Sequence, residues 1–163
     1  MFINPEGDHV VTRLTHTLQV TQVGRALAVA LGLNETLTEA ICLAHDVGHS
    51  PFGHTGEDAL SEFVEGEWLH SEQGVRIFEV LEPLNLSWEV LDGIRAHSWK
   101  IDPPPATVEG TLLRFADRIA YLVHDTQDAI RAGILSHSQL PPFSREVFGT
   151  PGREWVNTMI HAV

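Results

Sequence analysis

Between His45 and Glu57 the chain reads HDVGHSPFGHTGE, which puts three histidines, two carboxylates, three glycines and one proline in thirteen positions. An adjacent His-Asp pair offers one neutral nitrogen and one anionic oxygen, a donor mixture suited to Zn, Mn, Fe or Mg. Histidines that follow within a few residues can titrate near neutrality, so the same stretch can also move protons. It reads as half of a metal-dependent hydrolase site, with the other half supplied by distant segments.

The elements that must position these groups are helices. Apolar residues at Val10, Leu14, Leu18, Val23, Leu27, Ala30 and Leu31 recur every three to five positions, and Gly32 stops the pattern. On this first helix Arg13 and His16 are three apart and are therefore neighbours. Asn34 is the expected N-cap of a second helix running to Val47, with Glu35 and Glu39 in its early turns and Gly48 closing it. Successive helical residues diverge by about 100°, so His45 and Asp46 can share one ion only near a helix end, which Gly48 supplies. A short helix over residues 54–64 then carries His54 and Glu57 on one face.

Helices are expected over 70–81, closed by Pro83, and from Ser87 to about His97, with Trp88, Val90, Leu91 and Ile94 inside. Residues 101–107, IDPPPAT, form an extended connector. The longest helix, over 108–132 with Gly133 behind it, buries Leu112, Leu113, Phe115, Ala116, Ile119, Ala120, Leu122, Val123 and Ile130. Its second face carries Asp117, Tyr121, His124, Asp125 and Asp128. A purely solvated stripe would favour Lys and Glu, and their absence points to a lined cavity. Loops are expected at Pro141-Pro142 and over 150–152, then a last helix from Arg153. No segment alternates like a strand, so the fold class is all-α, and the 163 residues make one domain.

Composition narrows the function. At 43% hydrophobic the chain is a folded one. No run approaches the roughly 18 apolar residues of a spanning helix. The segment MFINPEGDH lacks a basic and then apolar leader, and the reading is cytoplasmic. A formal charge of −12 speaks against nucleic-acid partners. It leaves room for a small phosphorylated substrate, because nine of the ten basic residues are Arg, whose planar fork grips phosphate. Cys42 is alone, so there is no disulfide framework, and it reads as a buried, inert thiol.

His16, the pair His45-Asp46, and Asp117 form H…HD…D on three helices, which resembles the HD-domain metal-dependent phosphohydrolase superfamily. The longer runs RLTHT, AHDVGHSPFGHTGE, HSEQGVR and ADRIAYLVHDTQDAIRAGIL are similar, in that order, to the deoxyguanosine triphosphate triphosphohydrolase subfamily. The resemblance covers nearly all of residues 9–140. It implies a helical HD-domain fold with one divalent ion (Mn, Mg, Fe, Co or Zn) held by His16, His45, Asp46 and Asp117. It further implies His54 and Glu57 as the catalytic His-carboxylate pair, and His70 as a histidine that in a vertebrate relative points at the α-phosphate. Arg13 and Arg118 match phosphate-contacting positions, Tyr121 a tyrosine against the sugar, and Asp125 a group near the 3′-hydroxyl.

The expected reaction converts a deoxynucleoside triphosphate, with dGTP the usual substrate, to deoxynucleoside and tripolyphosphate, in a homo-oligomer. The alternatives are a smaller HD phosphatase or phosphodiesterase and a non-catalytic nucleotide-binding module that keeps the metal site. With His70 and His97 included, the pattern H…HD…H…H…D is also the one that in other HD subfamilies holds two ions; one ion is preferred on the longer match. Family members are usually longer, which makes this chain either a minimal form or a fragment.

Overall fold

The Thr15 N–H donates to Thr12 Oγ1 across 3.4 Å and starts α1, Arg13–Leu31. The computed structural model describes residues 11–163, so the expected loop over residues 1–9 and the helix start at Val10 lie outside the described residues. Gly32, at φ 67°, ends α1 in the left-handed conformation, and its N–H turns back onto the last carbonyls. Asn34 caps α2, Glu35–Ala44, by accepting from the Leu37 N–H across 3.0 Å.

The remaining helices are α3 (His54–Ser61), α4 (His70–Arg76), α5 (Trp88–Ala96), α6 (Val108–Arg131), α7 (Pro142–Phe148) and α8 (Arg153–Ile160). There is no strand among the described residues, and the fold is all-α. None of the described helices is long and apolar enough to cross a membrane.

Helices α1 and α6 run antiparallel and are pinned at both ends. The Val11 N–H donates to Asp128 Oδ2 across 3.0 Å, and the Asn34 N–H donates to Glu109 Oε1 across 2.9 Å. Between these pins Val20 and Leu27 of α1 meet Leu113, Ala116 and Ala120 of α6, with Ile41 of α2 and Ile94 of α5 closing the core. Leu27, Ile41, Ile94 and Leu113 are at most 2% exposed, and burying each such side chain is worth roughly 1.5–3 kcal/mol. Helix α1 approaches α2 closely at Gly24, where an added Cβ would lie 2.7 Å from Cys42 Sγ.

Several expectations shift. Helix α2 stops at Ala44, three residues before Val47. Trp88, expected inside, is 63% exposed because it begins α5 on the outer side. Phe115 and Leu122 of α6 are exposed, as the buried stripe follows Leu112, Leu113, Ala116, Ile119, Ala120 and Val123. The helix over 70–81 divides: α4 gives way to a π-helical turn, Ile77–Leu81, that leaves Val80 and Leu81 exposed. Pro141-Pro142 opens α7 with Pro142 at its first position, where proline loses no hydrogen bond.

Candidate active site

Helices α2 and α5 end on the same device. His45, the residue after α2, turns its ring back so that Nδ1–H donates to Cys42 O across 2.7 Å; His97, the residue after α5, does the same to Ile94 O across 2.7 Å. A carbonyl only accepts, so in the neutral ring each bond fixes the tautomer and leaves the Nε2 lone pair facing inward. Two helix C-termini, each with partial negative charge, therefore converge on one point. That field favours a cation.

His45 Nε2 is buried and has no hydrogen-bond partner. It lies 3.3 Å from Asp46 Oδ1 and 3.8 Å from Asp117 Oδ1, while His16 Nε2 of α1 lies 3.0 Å from Asp117 Oδ1 of α6. Ligand atoms at about 2.0–2.2 Å from one ion stand roughly 3–3.6 Å apart; the 3.0 and 3.3 Å separations lie in that range and the 3.8 Å one just beyond it, so the donor types and their spacing suit a divalent ion that draws them slightly closer. An uncompensated lone pair among carboxylate oxygens is costly unless a cation or proton joins them. Of the four residues expected to hold the ion, His16, His45 and Asp117 bring their donor atoms together, while Asp46 touches this group through His45 and groups with His70 and His97.

Electrostatics support the charge balance. Burial alone would raise the Asp46 carboxyl, but the His45, His49 and His16 rings and the Arg13 guanidinium outweigh it and hold the group far below the carboxylate range. Arg13 Nη1 donates to Asp46 Oδ2 across 3.0 Å. Asp117 is lowered in the same way: burial opposes, and the His16 hydrogen bond and His45 prevail.

A second layer lies beside this one. Glu57, in the first turn of α3, is buried, and burial raises its carboxyl. Its Oε2 lies 3.4 Å from His54 Nδ1, whose side chain is 76% exposed, and its Oε1 lies 2.7 Å from His70 Nδ1 of α4. His70 Nε2 lies 2.9 Å from His97 Nε2. With the His97 lone pair fixed inward, His70 donates from Nε2, and its Nδ1 lone pair then faces a carboxylate oxygen. A proton or a cation must lie between them, and Glu57 raised by burial can carry that proton. His49 fills the gap between the two layers. Its ring stacks on His70 with centroids 3.9 Å apart, Nδ1 is 3.1 Å from Glu57 Oε1, and Nε2 is 3.6 Å from Asp46 Oδ1.

Three overlapping donor groups result: His16, His45 and Asp117; Asp46, His70 and His97; and His49, His54, Glu57 and His70. Within each, all the donor atoms lie within 4.8 Å of one another. Burial lowers His49 and His97 to about 4 and lowers His70 as well, so these rings are neutral donors at neutral pH.

The model of the HD domain family matches residues 13–126, a span that takes in every one of these residues. The chain belongs to the HD domain family. Among curated relatives, the deoxyguanosinetriphosphate triphosphohydrolase-like protein of Caldanaerobacter subterraneus is 49% identical over 167 residues, covering 100% of this chain and 49% of the relative. The protein of that name from Clostridium perfringens (strain SM101) is 49% identical over 98% of this chain and 48% of its own length. That from Desulfatibacillum aliphaticivorans is 47% identical over 100% and 50%. The chain spans about half the length of the curated relatives it matches.

In this HD domain the dyad lies just beyond a helix end, as its shared use requires, but Gly48 has a different task from closing the helix. A Cβ there would meet His70 O at 2.0 Å and Gly74 N at 2.3 Å, so only glycine lets the dyad press against α4. Arg118, Tyr121 and Asp125 stand one, four and eight residues past Asp117 on α6. The Arg118 guanidinium is 6.0 Å from the centre of the Trp99 ring, and Tyr121 is half exposed. The sequence alone assigns His49 no role; its signal is the spacing of three from Asp46, which returns it to the same side of the turn. Arg114, in the sequence only one more residue of the long helix, donates to Ala96 O, Ser98 O and Ile101 O and so holds the segment that carries His97.

Proposed function

We propose that this HD domain hydrolyses deoxynucleoside triphosphates, dGTP among them, at the α-phosphorus, releasing deoxynucleoside and tripolyphosphate. The observation that carries the reading is the buried, unpartnered His45 Nε2 set among His16, Asp46 and Asp117, a site built for a divalent ion. The names of the half-matching relatives support the substrate class.

His16, His45, Asp46 and Asp117 hold the ion, one per chain. When bound, it neutralises phosphoryl charge and makes a water acidic enough to supply the nucleophile. Arg13, on the solvent side of Asp46, grips a phosphate oxygen with the part of its fork not used by the carboxylate. Glu57 orients the exposed His54 ring, and His54 hands a proton to the departing sugar oxygen. His70 stands behind this pair against the α-phosphate. Arg118 adds a second phosphate contact, while Tyr121 and Asp125 bind the sugar.

A second reading has one observation of its own. Asp46, His70 and His97 also converge, the set needed for a second ion and for phosphodiester chemistry. Incubation of the purified chain with Mn or Mg and each dNTP, followed by ion-exchange analysis, separates the two. Tripolyphosphate with intact deoxynucleoside supports the first reading, and stepwise orthophosphate release sinks it. Two ions per chain, with one lost in His97→Ala, supports the second.

A further inference from the structure

Trp99 stands two residues past His97, and its ring lies against two arginines of α6. The turn that carries it is closed by the Ile101 N–H, which donates to Ser98 O across 3.2 Å. Arg114, buried on α6, clamps this turn. Its Nη2 donates to Ser98 O across 3.1 Å and to Ile101 O across 3.3 Å, and both Nε and Nη2 donate to Ala96 O. The indole meets the Phe115 ring edge-on, with centroids 5.5 Å apart and planes 87° apart, an arrangement that aromatic quadrupoles favour. The guanidinium carbons of Arg114 and Arg118 lie 5.3 and 6.0 Å from the centre of the indole.

Arg114 and Arg118 are one helical turn apart and repel each other, and the negative face of the ring offsets that repulsion. They differ in what is left of their donors. Arg114 commits Nε and Nη2 to carbonyls. Arg118 is exposed, and among the described residues it has neither an ion pair nor a hydrogen bond. By contrast Arg13, Arg25, Arg95 and Arg131 each pair with a carboxylate. In a chain of net charge −12, an arginine that meets no carboxylate and rests on an indole keeps its charge for a ligand. A guanidinium lying over a ring uses its face there and leaves its edge N–H donors for two oxygens of a phosphate.

The placement ties this pair to the site. Arg118 follows Asp117 on α6. The turn bearing Trp99 begins at His97, whose ring stands edge-on to His45 with centroids 5.2 Å apart. On the reading of Arg118 as a phosphate contact, on which this assignment rests, we infer that Trp99 is a positioning residue for the substrate's phosphate chain. Its ring holds the Arg118 guanidinium at the rim of the ion site, and Arg114 fixes the turn beneath it. Trp99 touches no reacting atom, so it acts on substrate binding and not on bond cleavage.

The test measures kcat and KM for dGTP with Mn, and calorimetric binding of inorganic tripolyphosphate to the Mn-loaded chain. It compares the unaltered protein with Trp99→Leu, Trp99→Phe, Arg118→Ala and the double variant Trp99→Leu/Arg118→Ala. Trp99 is 52% exposed, so its replacement leaves no core cavity. In Trp99→Leu, KM should rise and tripolyphosphate affinity fall about three- to tenfold, the scale of a lost cation–π contact and a freed side chain. Because only binding is touched, kcat should stay within about twofold. Trp99→Phe keeps a ring and should restore most of the loss. In the Arg118→Ala background, Trp99→Leu should add nothing. A loss that persists in that background, or that falls on kcat and melting temperature together, overturns the proposal and makes Trp99 a prop for His97. Turnover of dGTP with KM unchanged in Trp99→Leu also overturns it, while the reaction stands. No turnover, with tripolyphosphate binding that depends on Trp99 only through Arg118, sinks the reaction and keeps the positioning role. Absence of both turnover and Trp99-dependent binding sinks both.

Discussion

The His49 ring lies flat on the His70 ring, with centroids 3.9 Å apart and planes 6° apart, and spans from Asp46 to Glu57. The stack is packing, whereas the two nitrogens are chemistry, and a substitution can separate them. His49→Phe keeps an aromatic ring on His70 but removes both nitrogens. The melting temperature is expected to change little, while metal-supported turnover falls roughly 10–100-fold, the scale of a lost proton-handling or orienting group. An equal fall in stability and turnover would reduce His49 to a spacer.

Gly48→Ala tests the contact that sets the dyad against α4. The new Cβ would lie 2.0 Å from His70 O and 2.3 Å from Gly74 N, both backbone atoms that no rotamer change can relieve. The expected outcome is a loss of a few kcal/mol or more, the range of severe overpacking, seen as a lower denaturant midpoint. Metal content should fall with it, because the same contact holds His70 beside Asp46. A stable Gly48→Ala protein with full metal content would contradict the packing argument.

The sequence carried the helices through local rules: Gly32 ends α1, Asn34 caps α2, and the apolar spacing marks α6. The candidate ligands His16, His45, Asp46 and Asp117 came from the resemblance of H…HD…D to a known family, since ten histidines and 22 carboxylates leave residue type alone with too many combinations. The end of α2 was not legible, since His45 closes it by bonding its own ring to Cys42 O, a rotamer choice that periodicity does not encode. The need for Gly48 was hidden for another reason: the atoms it must avoid come from α4, more than twenty residues away. His49 was obscure on the same ground, its partners being split between the adjacent turn, α3 and α4. Helix α7 was hidden because paired prolines read as a break, although a proline can open a helix.

Asp46→Ala and His54→Ala should separate holding the ion from handling the proton. Asp46 is the carboxylate that Arg13 pairs with and that the His45 and His49 rings surround, so its loss strips Arg13 of its counter-ion and removes an ion ligand. Metal analysis should find the ion gone and turnover abolished. His54 is largely exposed and touches the cluster through Glu57. Its alanine variant should keep the metal and lose about 100-fold or more in turnover. Equal loss of metal from both variants would make His54 a ligand.

The metal-free chain should lose stability on mild acidification, and the sign follows from the buried rings. Burial holds His49 and His97 at about 4, against 6.5 for the unfolded chain, and lowers His70 and His124 as well. Between those values the unfolded chain binds protons that the folded chain refuses, so stability rises with pH across the window. The contribution is fully present above about 6.5 and is lost as pH falls toward about 4. Glu57, raised by burial, works in the opposite direction, because the folded state takes up its proton first. Asp46 and Asp117, both lowered, cost stability only below their ordinary value of 3.8, outside the window. Several histidines against one glutamate leave a net loss on the order of a few kcal/mol, since each tenfold difference in proton affinity between the two states is worth about 1.4 kcal/mol. Urea midpoints of the chelator-treated chain at pH 7.0, 6.0 and 5.0, values chosen at roughly one-unit steps through the histidine range, should fall steadily. A flat series would mean that these rings are open to solvent before the chain unfolds.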